Sequence, residues 1–120
     1  NMNMYPFEIN YSYIKLPSGL VKIDNPQDGN CYTLKYTALG PEFELVSEIL
    51  SNSSYINHIT GEPFIVTSVL YREIIEKAII YLNFDDNDDL ESCDIKDIDI
   101  NTLNYNLVKM ISKNWIKSVL

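Results

Sequence analysis

The chain has 120 residues, 46% of them hydrophobic, and a formal net charge of −8. That length suits one domain with a core of its own, and the apolar content excludes global disorder. The acidity argues against nucleic acid as the main partner, because neutralising phosphates takes clustered Lys and Arg.

Residues 1–10 have no clear period and read as a loose leading segment, followed by a single domain over 11–120. Tyr11–Leu16 alternates, with Ile14 and Leu16 on one face and Tyr13 and Lys15 on the other, which predicts a strand. Pro17-Ser18-Gly19 breaks it, and Leu20–Ile23 reads as a short second piece. Turn formers crowd Asn25–Asn30, where Asp28-Gly29 signals a hairpin into a strand over Cys31–Tyr36. Gly40-Pro41 opens the first helix, whose buried face is Leu45, Val46, Ile49 and Leu50. Ser51–Glu62 is polar and predicts an irregular surface loop, and Phe64-Ile65-Val66 a short buried strand.

Thr67–Phe84 carries two apolar rows, Leu70/Ile74/Ala78/Leu82 and Tyr71/Ile75/Ile79. They predict a long central helix enclosed on most sides and capped by Thr67 or Ser68. An acidic loop over Asp85–Asp97 follows. Asn101 or Thr102 then caps a final helix that buries Leu103, Leu107, Met110, Ile111 and Trp115. The element order predicts an α/β, more closely α+β, domain: a small three-stranded sheet covered by helices.

Charge is unevenly spread. Residues 85–99 hold eight acids and one base, whereas residues 100–120 hold three lysines and no acid. Lys109, Lys113 and Lys117 step by four along the last helix; they can be a solvated face, meet an acidic partner, or face the acidic segment of their own chain. Trp115, the single tryptophan, is either an edge of the core or an anchor at an interface.

Chemistry-bearing patterns are sparse. Asp85, Asn87 and Asp89 suit positions 1, 3 and 5 of a calcium loop, but Leu90 stands where the loop needs Gly and Lys96 where it needs Glu. His58 is the only histidine and has no Cys near it in sequence, so no metal site, cofactor or catalytic pair is expected and the chain reads as a non-enzyme. Cys31 and Cys93 share no motif and read as reduced thiols. No apolar run of about 18 residues is present, so no membrane partner is expected. Without a basic-then-apolar leader, the sequons at Asn10 and Asn52 are expected to go unused in a nuclear and cytoplasmic protein.

Taken in order, the segments resemble the elongin C family of BTB/POZ-fold adaptors. The resemblance covers about Ser12 to Ile116 and rests on Tyr13-Ile14-Lys15-Leu16, Asp28-Gly29, Tyr32-Thr33-Leu34-Lys35, Ala38-Leu39, Leu45–Ser51, Glu76–Leu82 and Asn114-Trp115-Ile116. It departs at Lys109, where the family has leucine, and at Ser112 and Lys113, where it has small alanines. The resemblance implies an adaptor that pairs with a ubiquitin-like elongin B and links a BC-box substrate receptor to a cullin in a ubiquitin ligase. By implication, the receptor pocket takes Tyr81, Leu103, Leu107, Met110, Ile111 and Trp115. The cullin-facing loop takes Ser51, Asn52, Ser53 and Tyr55, and the elongin B pairing takes Tyr13, Ile14, Lys15 and Leu16. The F-box-binding cullin adaptor shares this core, with two further helices beyond the position of Ile116. A self-associating BTB-type domain is the other alternative.

The broken calcium pattern yields a direct expectation. Calorimetric titration with calcium will show no saturable binding at micromolar or millimolar concentration.

Overall fold

The computed structural model describes residues 4–11, 14–15, 21–22, 32–86 and 89–119. In chain order the elements are β1 (Met4–Tyr11), β2 (Ile14–Lys15), β3 (Val21–Lys22), β4 (Tyr32–Leu39), α1 (Phe43–Ser53), β5 (Ser54–Ile56) and β6 (Pro63–Ile65). They continue with α2 (Thr67–Lys77), β7 (Ile79–Asp86), β8 (Asp89–Asp94), two short 3₁₀ turns and α3 (Tyr105–Val119). This is an α+β chain. The predicted turn at Asp28-Gly29, and Tyr13 and Leu16, lie outside the described residues.

The main sheet is antiparallel, ordered β1-β4-β7-β8, and so has four strands where three are expected from sequence. Two expectations give way to it. Residues 1–10 are not all loose: Met4–Tyr11 pairs residue for residue with β4, from Met4↔Leu39 to Tyr11↔Tyr32. An edge position explains why a segment with Pro6 can do this, since one of its sides needs no partner.

The second correction is larger. Thr67–Phe84 is not one helix. α2 stops at Lys77, and Ile79–Asp86 becomes an inner strand, pairing with β4 on one side and β8 on the other. Ile79-Ile80-Tyr81-Leu82-Asn83-Phe84 is a β-branched and aromatic run without a charge, and such a run fits an inner strand as well as a buried helix turn. The breadth of the apolar stripe, read as a helix enclosed on most sides, belongs to a helix followed by an inner strand. Ile80 falls between the pairs Thr37↔Tyr81 and Ala38↔Ile79, as the extra residue of a bulge.

Other expectations shift by smaller amounts. Val66, not Thr67 or Ser68, caps α2; its N–H is taken by the Ser53 carbonyl at 3.1 Å, so tertiary pairing fixes the helix start. Asn104, not Asn101 or Thr102, opens α3, its side chain accepting from the Asn106 N–H at 2.8 Å. Asp94 and Asp99 accept likewise from Lys96 and Asn101, so part of the acidic segment serves as local caps rather than open loop. Strand pairing through Asp86 and from Asp89 takes up most of the rest.

One sheet face carries Tyr36, Ala38 and Leu82 into a core shared with Ile49, Ile74, Ile75, Leu107, Ile111 and Trp115. On the opposite face Tyr81 is exposed, as antiparallel sheets permit. Tyr36 sits at the centre. Its ring stacks on Phe7 with centroids 5.0 Å apart, and its hydroxyl donates to Asn114 Oδ1 at 2.5 Å. Burial pushes the phenol pKa up, because the interior disfavours the phenolate.

Tyr36→Phe removes this bond. At neutral pH the variant is expected to lose about 1–2 kcal/mol in urea unfolding. The raised folded-state pKa means that the parent's stability is whole below the ordinary value of 10.0 and falls as pH rises beyond it. The gap between parent and variant should therefore narrow above pH 10.

Candidate functional site

α1 presents Val46, Ile49 and Leu50 along one side, at the spacing of a single helix face. α2 packs against α1 on one flank and α3 on the other, and thus forms a floor between them. Lys77 fixes the α1–α2 spacing, bonding Glu48 at 2.8 Å and lying 3.6 Å from Glu73. The hydrogen bond that Lys77 donates to Glu48 leads in raising the Lys77 pKa, which keeps this cation charged. On the other flank the Ser112 hydroxyl donates to the Tyr71 carbonyl at 3.2 Å, satisfying a fully buried polar group.

Between α1 and α3 the chain leaves an open cleft of about 410 Å³. Pro41, Val46, Ile49 and Leu50 form one wall, Leu70 and Ile74 the floor, Trp115 and Ile116 the other wall. Every lining side chain is apolar. Phe43, one turn before Val46, is 88% exposed and extends the apolar surface past the end of the cleft. Trp115 is buried, and its Nε1–H donates to the Leu39 carbonyl at 2.9 Å. It is therefore a core residue, the first of the two sequence readings, and one of its faces also lines the cleft.

The remaining expected pocket residues disperse. Leu107 and Ile111 are wholly buried, and Leu103 and Met110 are half-buried against the core. Tyr81 lies on β7, exposed, with Thr37 and Asp94 as its strand neighbours, and does not line the cleft. The strand explains this: a helix through residue 81 would have turned the ring differently. Sequence reasoning assigned Val46, Ile49 and Leu50 to a buried face and overlooked them as a site. The available signal was α1's apolar stripe, widened by Phe43 and Leu50 beyond what one neighbour can cover.

The expected loop over Ser51–Glu62 is also ordered. Ser51 and Asn52 are exposed in the last turn of α1, whereas Ser53 is buried with its hydroxyl donating to the Ile49 carbonyl at 2.5 Å. β5 and β6 form a hairpin, closed by Asn57 accepting from Ile59 and Thr60 and by Gly61 at φ 73°. Tyr55 faces Phe64 across it, with ring centroids 6.2 Å apart. Phe64-Ile65 is thus an exposed ribbon outside the main sheet, not a buried third strand. Ile14 and Lys15 pair with Lys22 and Val21 in a separate two-stranded ribbon.

His58 is exposed in the hairpin turn. Among the described residues, no three of His, Cys, Asp and Glu gather as a metal-binding group, and no helix is long and apolar enough to cross a membrane. No family model matches the chain, no curated protein matches its sequence, and no solved structure matches its fold.

Trp115→Ala is expected to cost about 3–5 kcal/mol, from the cavity and the unpaired Leu39 carbonyl together. Differential scanning calorimetry should show the melting temperature falling by roughly 10–20 °C.

Proposed function

We propose that the chain is a non-catalytic adaptor of the elongin C type, which seats an amphipathic helix of a substrate receptor in the cleft between α1 and α3. On this reading the helices and sheet serve as a BTB/POZ-like scaffold in a cullin ubiquitin ligase of the nucleus and cytoplasm. The observation that carries it is the cleft over Trp115, lined throughout by apolar side chains. Helix-in-groove recognition needs such a surface and needs no reactive group. The site differs from the one that the resemblance implies: its walls are α1 and α3, with Trp115 shared and Tyr81 absent.

Two further contacts complete the proposal. The β5–β6 hairpin, with Tyr55, Ile56, Phe64 and Ile65 all 44–54% exposed, offers a cullin-facing surface next to Ser51 and Asn52. Ile14 and Lys15, beside Tyr13 and Leu16, belong to the region where an elongin B-like partner pairs.

Leu50 is 41% exposed while lining the cleft, so it can be altered without emptying the core. Burying a partner leucine against this wall contributes roughly 1.5–3 kcal/mol. Leu50→Glu should weaken capture of a BC-box receptor peptide by about 10-fold or more with the melting temperature nearly unchanged. Binding equal to the parent's would remove the cleft from the proposal.

A further inference from the structure

α3 carries a charge pattern that the cleft alone does not explain. Residues 100–120 contain Lys109, Lys113 and Lys117 and no acid, in a chain of net charge −8. Lys113 and Lys117 are exposed and Lys109 is half-buried. Every ion pair among the described residues belongs to Arg72 or Lys77, and none reaches these three lysines. Of the acidic segment, Asp94 and Asp99 accept backbone N–H groups as local caps.

Their place on the helix is specific. Lys113 lies one turn before Ile116, which lines the cleft, and Lys117 lies one turn beyond Lys113 on the same row. The α3 wall therefore has a cationic rim. The α1 wall has no cation: Phe43, Val46 and Leu50 run along it, Glu42 and Glu44 are exposed at its start, and Glu48 is bonded to Lys77 on α2. The cleft is apolar within, basic along the α3 rim and without a cation along the α1 rim.

We propose that the helix seated in the cleft bears Asp or Glu along one border of its apolar stripe, facing Lys113 and Lys117, and no acid on the border toward Phe43. The inference rests on the cleft being a helix site. Complementary rim charges set the direction and register of a docked helix and speed its encounter, and like charges there exclude wrong partners. A protein helix suits the site better than a polyanion. The interior offers nothing to phosphates, and the rest of the chain repels them.

The test is a selection on the full chain. A display library of helical peptides keeps a fixed leucine stripe at i, i+3, i+4 and i+7 and randomises both borders. Peptides lost on Leu50→Glu define occupants of the cleft. Among them Asp and Glu should enrich on one border only. The variant Lys113→Glu/Lys117→Glu should weaken them by roughly 10-fold at low salt and select Lys or Arg at the same border; Lys113→Gln/Lys117→Gln serves if the reversal disturbs folding. Cleft-dependent peptides without acidic bias would overturn this inference and leave the helix site standing. A selection yielding no peptide sensitive to Leu50→Glu would overturn both. Binding of phosphatidylserine vesicles or duplex DNA, abolished by the double variant and joined to unbiased peptides, would assign the lysines to another class of partner and overturn the inference.

Discussion

The peptide unit of Leu39 is held from both sides. Its N–H donates to the Ala78 carbonyl at 2.8 Å, and its carbonyl accepts from Trp115 Nε1 at 2.9 Å. One bond joins the end of β4 to the junction where α2 becomes β7; the other joins it to α3. Ala78 is fully buried at that junction. The helix reverses into a strand there without a loop, because the carbonyl that leaves the helix ladder is at once taken up by the sheet. The next residue, Gly40, lies against the Tyr5 ring, and Pro41 already belongs to the cleft. Cleft geometry, helix placement and sheet register thus converge on one residue.

How much of this could be read from the sequence depended on whether local chemistry or distant pairing decided each element. α1 and α3 were legible because their apolar positions repeat at helical spacing and solvent meets their other sides. The mixed character of the fold was legible from the order of segments. The α2–β7 division was not, since Leu82 fits a four-residue row and also an inner strand; only the pairing of Tyr36 with Leu82 chooses between them. The β1 strand escaped notice for the same reason, because its partner is almost thirty residues away. In the candidate site, Trp115 reads from sequence as a core edge or an interface anchor, and its burial and bond to Leu39 show the core role. Tyr81 was misplaced as a direct result of the missed strand.

The polar groups of the core are few and matched. Ser53 and Ser112, both fully buried, donate to backbone carbonyls of Ile49 and Tyr71. Tyr36 and Trp115 each bring a large apolar body and one donor that finds an acceptor. Against this stands a surface that leaves Phe43, Ile59 and the β5–β6 ribbon uncovered. A two-stranded ribbon has little stability of its own in water, so the hairpin relies on the α1 and α2 ends that it connects. The matched interior thus stands beside an exposed apolar surface.

Because Trp115 is the chain's sole indole and forms part of the cleft wall, the protein contains its own optical reporter. Its emission colour and lifetime depend on the dipoles and water around that ring. An occupant of the cleft displaces water from one face while the hydrogen bond to Leu39 holds the ring still. Spectral change on addition of a ligand without tryptophan can therefore be followed in the unlabelled chain, with no contribution from any second indole.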